Sequence, residues 1–588
     1  MTCDKLSPDN NTQASAKTGL DRLLTFSLLL VLMLAASRNS PDPDLWGHVQ
    51  YGRDVLRDGL PATSSYSYTA SGFRWINHEN LTEILFAAGM DWIGPAGMLL
   101  IKSVLGTTVL WLLLRVAQQN GVGQLTAYFA ALLTAANLML FWNMRPHTLS
   151  YALFGVLLWL LSGCFAGWEG KWQLGRYRVP ANPLEYSSRR LRFLWAIPAL
   201  IWLWTNTHGG FVAGLAIFAV YLACRAVEAL ACRGRHGVGL ILRFAMMVLA
   251  AVLVTVLNPY GLQLHRWLAE SLGTPRPEIA EWLPPTFSIG FLPFWITLGL
   301  AAIALFASRR PRDFTHCVIL LLAGWQAMLH QRHIPLFALL VGFWLPVHFE
   351  SAWMRWRRAR PENSAAPAPR ALQLSFGALL LVVCGWLTAL LSQQLSTIPV
   401  KRSRYPVAAF QFMADQQLGG RIVVAFPWAQ YAIMAFGNEA PSRKLELAFD
   451  GRFRTCYPQQ VVDLYFDFEA GDRGPERRCR SPHSPPPDPS RILRFREPDL
   501  VLIEREREHC VRVLAEHSDD WTLLYQDALA QLWGRKSRFD DRTSQDYLEV
   551  SRRRISDAPQ VGYVAWPALP VRSLQLAKDE AGALPGDA

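Results

Sequence analysis

The sequence predicts an α-helical polytopic membrane bundle of about eleven spans, followed by a C-terminal soluble α/β domain. Three observations predict it. Of 588 residues, 51% are hydrophobic and only 18% are charged, below the roughly 25% charge usual in soluble domains. Apolar runs near the ~20-residue spanning length recur from Leu23 to Leu391 and then stop. Lys and Arg concentrate in alternate connectors, the positive-inside pattern of a multispanning protein.

Residues 1–21 form a cytoplasmic N-terminal segment ahead of the first run. That run, Leu23 to Ser37, also resembles a signal peptide, with Lys17 and Arg22 ahead of it and "LAAS" at its end. The later runs keep the chain in the membrane on either reading. The spans fall at 22–37, 96–115, 125–142, 148–166, 193–206, 209–225, 240–257, 291–307, 315–330, 333–349 and 372–392. Between the first two lies a large external loop, 38–95, whose short run Leu81 to Ile93, interrupted by Asp91, reads as an interfacial helix.

The charges test this layout. With a cytoplasmic N-terminus, segment 167–192 is cytoplasmic and carries Lys171, Arg176, Arg178, Arg189, Arg190 and Arg192. Later connectors on that side hold Arg225, Arg233 and Arg235, then "RRPR" (309–312) and "RWRRAR" (355–360). The opposite turns "NTH", "NPYG" and "HQRHIP" hold one Arg between them. The net charge of +12 therefore follows membrane topology, and a nucleic-acid partner is excluded.

The last span, within a transmembrane domain of 22–395, ends outside, which places 396–564 as an external α/β domain. "RIVVAF" (421–426) and "DLVLI" (499–503) read as strands, and "YPVAAFQFMADQQL" (405–418) as a helix. "RSPHSPPPDPSR" (480–491) is a Pro-rich loop, and 565–588 a weakly ordered tail. No repeat suggests a solenoid. The nine cysteines lack metal-ligand spacing. Cys164, Cys224, Cys317 and Cys384 lie in or beside spans, and Cys456 and Cys479 could form a disulfide in an oxidising compartment, a pairing the sequence leaves open.

Polar clusters gather at the external span ends: "PDPDLWGH" (41–48), "WINHENLTE" (75–83), "NMRPH" (143–147), "NTHGG" (206–210), "LNPYG" (257–261) and "QRHIP" (331–335). Each has a structural reading. Asp42 and Asp44 suit a turn and helix cap before "LWGHVQYG", as well as they suit catalysis. His78 and Glu79 could start the interfacial helix, with Asn77 as its cap. Arg145, Arg332 and His333 suit interfacial anchors on lipid phosphate. "NTHGG" and "NPYG" suit tight turns. Taken together they suit group transfer from a lipid phosphate to an acceptor hydroxyl. Carboxylates act as general bases or bind a divalent cation, and Arg and His neutralise a phosphate leaving group. Trp46, Tyr51, Tyr66, Tyr68, Phe73 and Trp75 supply aromatic surface on the first loop, for the membrane interface or for sugar stacking.

"DPDLWGHVQYGRDVLRDGLPATSSYSYTASGFRWINHENLTE" resembles the first external loop of bacterial C-type (GT-C), polyisoprenyl-phosphate-dependent glycosyltransferase-like membrane proteins. Their pattern is D-P-D-L-W-W-H, a basic helix, a proline-marked turn, then W-x-[ND]-H-E-W. The likeness continues through "MRPHTLSYALF", "WTNTHGGFVAGL", "LNPYG", "RHIPLFAL", "GRIVVAFPWAQYAIMAF", "FDGRFRTCYP" and "WTLLYQDALAQLW", to about residue 535. More distantly, the layout is similar to that of protein mannosyltransferases and aminoarabinose transferases, in which an acidic residue of the first external loop serves catalysis.

The resemblance implies a GT-C-like bundle in a bacterial inner (cytoplasmic) membrane, with the C-terminal domain periplasmic. It implies inverting transfer of a sugar from a polyprenyl-phosphate donor to an acceptor hydroxyl. Asp44, or Asp42, would be the base. His78, Glu79 and His48 would orient the acceptor or bind a metal, Mg or Mn. Arg145, His147, Arg332 and His333 would hold the lipid phosphate. Trp46, Trp75, Asn206, His208 and Tyr260 would line the substrate site. The basic side chains can replace a metal, so none is required.

Departures from the pattern are Gly47 for the second Trp, Asn80 for the Trp after His-Glu, and Ala429-Gln430-Tyr431 for a Gly-Gly-Tyr. They keep open a non-catalytic GT-C-like scaffold or polysaccharide-assembly partner. A transporter is the third reading, weakened by the scarcity of intramembrane charge that ion-coupled carriers bury.

Overall fold

A computed structural model describes residues 19–168, 186–357, 369–439, 443–471 and 478–571. Residues 1–18, part of the basic segment 167–192, the second half of "RWRRAR" and the tail beyond 571 lie outside the described residues.

The first two-thirds of the chain is helical. In order it forms α1 (Gly19–Ala36), α2 (Leu45–Asp58), α3 (Asn80–Trp92), α4 (Gly94–Gln119), α5 (Gln124–Leu138), α6 (Pro146–Cys164), the single turn α7 (Ser188–Leu191) and α8 (Ala196–Thr205). Then follow α9 (Phe211–Arg233), α10 (Val238–Val254), α11 (Leu262–Leu272), α12 (Leu292–Ala307), α13 (Phe314–Leu329), α14 (Ile334–Trp344), α15 (Pro346–Trp356) and α16 (Arg370–Leu395). Every apolar run carries a helix, and α3 covers the run Leu81 to Ile93 as far as Trp92.

The span count is the main difference from expectation. Among the described residues, six stretches are long and apolar enough to cross a membrane, or seven if α14 and α15, bent by 63°, count as one broken span. The expected eleven therefore include helices that do not meet that test. α5, α8 and α13 have 15, 10 and 16 residues, and at about 1.5 Å per residue each falls short of a ~30 Å hydrocarbon core. The stretch Phe211–Val254 satisfies the test as a whole, yet Gly234 turns at φ 53° and α9 packs on α10, so it is two helices side by side. One buried charge in the bundle is locally neutralised: Arg225 pairs with Glu228 at 2.8 Å and Asp313 at 2.7 Å.

The C-terminal domain forms β1 (Pro399–Lys401), α17 (Val407–Asp415), β2 (Gly420–Val424), α18 (Ala429–Phe436), β3 (Leu445–Leu447), α19 (Gln459–Ala470), β4 (Leu500–Glu504), β5 (Trp521–Gln526), β6 (Ala530–Arg535), β7 (Arg554–Ile555) and β8 (Tyr563–Ala565). Six strands make one mixed sheet in the order β3-β2-β4-β6-β5-β7, and β1 pairs separately with β8. The predicted strands appear within two residues of their expected places, and the predicted helix within three. Order also extends past 564: Trp566 is buried, and Pro567 and Ala568 accept hydrogen bonds from Trp46 and Tyr431. Cys456 and Cys479 are separate thiols.

The first loop belongs to this domain. Leu447 donates its N–H to Tyr66 O at 2.8 Å, and Tyr68 donates to Leu447 O at 3.2 Å, so the loop runs beside β3 like an added strand. Such pairing covers an edge that would otherwise be open. α2 packs on α3 and α18, and Leu45, Trp46, Val49 and Tyr51 share one core with the sheet. A second core fills the helical bundle. The N-terminus of α2, carrying Asp42 and Asp44, is thereby fixed between the two.

Candidate functional site

Asp44 occupies the N-cap position of α2, but its carboxylate makes no capping hydrogen bond. Asp42 Oδ1 accepts the Asp44 N–H at 3.0 Å and holds the turn instead. Capping thus leaves the Asp44 side chain free for another role. Its Oδ2 meets Arg145 Nη2 at 2.6 Å, while Arg145 Nη1 meets Glu281 Oε1 at 2.7 Å and its Nε lies 3.4 Å from Asp42 Oδ1. Arg145 is presented from the extended residue that precedes Pro146, the first residue of α6, a position where proline sacrifices no helical hydrogen bond. Burial pushes Asp42 up to about 6 despite the opposing pull of Arg145.

A cavity of about 190 Å³ opens beside this cluster. Asp44, His48, Trp75, His78, Glu79, Arg145, His147, His208 and Arg332 all line it, so most of the dispersed polar motifs converge on one space. Glu79 lies at its centre, with one oxygen 3.9 Å from His48 Nδ1 and the other 3.4 Å from His208 Nε2 and 3.8 Å from His78 Nε2. Burial raises Glu79, but His78 and His48 outweigh it and hold the carboxyl at about 2. Burial likewise opposes a charge on His48. The Glu83 hydrogen bond at 3.1 Å and the Glu79 charge reverse that, taking His48 to about 9. His208 goes the other way, to about 3, because burial dominates there. Its Nδ1 accepts the Gly210 N–H at 2.9 Å, which leaves Nε2–H to face Glu79.

Not every expected residue reaches the cavity. Trp46 is fully buried against Tyr405 and Tyr431, with its N–H donated to Pro567 O at 2.8 Å, so it is a core residue. Asn206 ties its own turn to Leu257 O, and Tyr260 OH accepts the Asn77 N–H at 3.1 Å. Both brace the motifs without lining the space. His333 lines only an adjoining groove. Tyr66 and Tyr68 are buried in the domain core, and of the six loop aromatics named above only Phe73 is exposed.

Other lining residues were not expected. Arg276, Glu281 and Trp282 come from "TPRPEIAEW" (274–282) between α11 and α12, and Gln430 and Arg454 from the C-terminal domain. The Arg276 and Arg332 guanidiniums lie 4.8 and 4.6 Å from the Trp282 ring centre. Neither makes an ion pair with a carboxylate among the described residues. Burial is the main pull that takes Arg276 down to about 10, the Arg332 and Arg454 charges add to it, and Glu278 opposes it. The sequence signal was available: Arg145, Arg276 and Arg332 are basic residues on the face that the charge asymmetry leaves poor in them.

Arg276, Arg332, His78 and His208 also line a second space, an apolar groove of about 500 Å³. Ala213, Ala216 and Ile217 of α9 and Ile319 and Leu322 of α13 form its walls. A polar cavity rich in guanidinium thus continues into an apolar groove between α9 and α13.

A divalent cation fits one part of the site better than another. His48, Glu79 and Glu83 offer ligand atoms within 4.8 Å of one another, and Asn77 orients Glu83 through a 2.6 Å hydrogen bond. One imidazole with two carboxylates suits Mn²⁺ better than Mg²⁺, which prefers oxygen alone. Asp42 and Asp44 are already matched by Arg145 and are the poorer ligands.

No family model matches the chain, and no curated protein matches it. Among solved structures, an archaeal oligosaccharyltransferase, AglB from Archaeoglobus fulgidus in complex with an inhibitory peptide and a dolichol-phosphate, has 11% identity and a TM-score of 0.49, covering 84% of this chain and 70% of that one. The arabinofuranosyltransferase AftD from Mycobacteria has 16% identity and a TM-score of 0.46, covering 88% of this chain and 40% of that one. At these values the likeness assigns neither an activity nor a residue role.

Proposed function

We propose that the chain is a membrane glycosyltransferase that moves a sugar from a polyprenyl-phosphate donor to an acceptor hydroxyl, with inversion, at the external face of a bacterial inner membrane. One observation carries the proposal: a carboxylate, a cluster of guanidiniums and an apolar groove between α9 and α13 meet in one continuous space. Few ligands need all three, and a lipid-linked phosphosugar is one. Its isoprenoid chain lies between α9 and α13, and its phosphate sits against Arg276, Arg332 and Arg454. The sugar then projects toward Asp44. The C-type motifs of the first loop agree with this layout.

In the reaction the acceptor oxygen attacks the anomeric carbon and forms the new C–O bond. The bond from that carbon to the phosphate oxygen breaks, and its electron pair leaves with the lipid phosphate. Asp44 Oδ1 takes the acceptor proton. That oxygen accepts no hydrogen bond among the described residues, and Gly451 packs beside it, where a Cβ would lie 2.6 Å away. Oδ2 stays on Arg145, which fixes the carboxylate's direction. The guanidiniums stabilise the charge developing on the departing phosphate. A bound divalent cation, held by His48, Glu79 and Glu83, would add positive charge to the same cavity.

The test is transfer from a radiolabelled polyprenyl-phosphate sugar in proteoliposomes. Asp44→Asn should lower the rate by about 10²–10⁴, the range for loss of a general base. Full activity in that variant would end the assignment. Lipid extracts of a deletion strain should accumulate the unused donor.

The Asp44–Arg145 contact favours a second reading. A carboxylate already satisfied by a guanidinium suits a non-catalytic scaffold of the same architecture. Wild-type protein that binds but never transfers sugar from any polyprenyl-phosphate donor would support it.

A further inference from the structure

Gln430 lies at the second position of α18, on the C-terminal domain, yet its amide lines the cavity beside Asp44. Its orientation is fixed from behind. Tyr51 OH donates to Oε1 at 2.6 Å, and Tyr51 itself is clamped by the Trp75 ring at 5.1 Å and the Arg452 guanidinium at 5.0 Å. With the oxygen held there, Nε2 turns the other way. It meets no acceptor among the described residues, and it is not one of the polar atoms sealed from solvent, so its N–H groups face the cavity.

Two glycines make room for this amide. A Cβ on Gly47 would overlap Oε1. A Cβ on Gly451 would lie 2.5 Å from Nε2 and 2.6 Å from Asp44 Oδ1, so the two polar atoms stand within about 5 Å of each other across the glycine. One is a donor and the other an acceptor. A single oxygen between them can accept from Nε2–H and donate its own proton to Oδ1 at ordinary hydrogen-bond lengths of about 2.7–3.0 Å.

We infer that Gln430 holds the acceptor hydroxyl against Asp44 and thereby selects an alcohol as the nucleophile. The inference rests on the transferase reading and deepens it. A hydroxyl is donor and acceptor at one atom. An ammonium has protons but no lone pair for Nε2–H, and an amide nitrogen has none to offer either. The pair Gln430 and Asp44 therefore admits O-transfer and disfavours transfer to nitrogen.

The experiment uses the full chain in proteoliposomes with polyprenyl-phosphate mannose, glucose and arabinose as donors. p-Nitrophenyl glycosides and their amino-sugar counterparts serve as acceptors. Binding is read as a thermal shift and turnover as transfer. Gln430→Leu, which keeps the bulk and removes the donor, should raise the KM for hydroxyl acceptors at least tenfold. Donor hydrolysis by water should change less. Tyr51→Phe keeps Gln430 but frees its amide to turn, and should raise KM by a smaller factor without lowering kcat. A double-mutant cycle checks the packing independently. Gly47→Ala should lower the unfolding temperature, and Gln430→Gly in the same chain should restore most of it. Should Gln430→Leu fail to fold, Gln430→Glu provides the isosteric variant without a donor and carries the same expectation.

Unchanged acceptor KM and thermal shift in a folded Gln430 variant would overturn this inference and leave the transferase reading standing. Glycoside binding that depends on Gln430, with no transfer from any donor, would overturn the transferase reading alone. Wild-type protein that neither binds nor transfers would overturn both.

Discussion

Arg145 and Asp44 form a 2.6 Å ion pair that a sequence with a hundred intervening residues does not announce. The same guanidinium reaches Glu281 at 2.7 Å and Asp42 at 3.4 Å, so one cation balances three carboxylates. Arg332, on the same cavity, has no such partner among the described residues and rests over Trp282. The two arginines should therefore fail differently.

Arg145→Gln leaves several acidic groups crowded without a counter-charge. Breaking a fully buried pair costs about 3–5 kcal/mol, and the partial exposure of Arg145 and Glu281 reduces this to about 1–3 kcal/mol. Its unfolding midpoint in detergent should fall clearly. Arg332→Gln removes an aromatic contact worth about 0.5–1 kcal/mol, so its midpoint should barely move while the KM for a lipid-phosphate donor rises. Equal thermal losses in the two variants would contradict this division of labour.

Asp42 gives a pH signature. Burial raises its folded-state value from 3.8 to about 6, whereas the unfolded chain keeps the ordinary one. A raised folded value contributes stability below 3.8 that is lost as the pH climbs through 6. Wild-type protein should thus lose stability relative to Asp42→Asn across that window, by up to about 3 kcal/mol. Parallel melting curves for the two proteins between pH 4 and 7 would show that Asp42 is not the titrating group.

The helices were legible because apolar runs and proline starts are local features. The number of true spans was not, because α5, α8 and α13 are apolar but short, and composition does not distinguish a spanning helix from one packed within a bundle. At the site, Asp44, Glu79, Arg145 and Arg332 could be picked out as polar residues at one end of the layout, and all four line the cavity. Gln430 could not, since it reaches the space from a domain nearly four hundred residues later. Gly47 and Gln430 each stood out as departures from the family pattern. Only the fold reveals that they touch, the missing side chain at one making room for the added one at the other.

Trp46 separates packing from chemistry. It stands two residues after Asp44, on a motif that suits a sugar-stacking residue, but it lies wholly inside the core. Trp46→Phe should cost about 1–3 kcal/mol through lost volume and the lost bond to Pro567 O. Donor and acceptor KM values, measured below the lowered melting temperature, should match those of the wild type. A selective rise in either KM would move Trp46 back into the binding surface.

The groove offers a test that leaves the polar cavity untouched. Ala216 lies on its α9 wall facing Leu322 and Ile319 of α13 across the space. It is more than a third exposed, so a larger side chain there enters the groove without displacing core atoms. Ala216→Trp should fill much of the space that a long isoprenoid chain needs. Its effect should grow with chain length: KM rises steeply for a decaprenyl-phosphate sugar and little for a short, water-soluble citronellyl-phosphate analogue, with kcat on the short donor preserved. An equal penalty on both donors would place the lipid chain elsewhere on the bundle, and the arginine cluster would then hold the phosphate from a different direction.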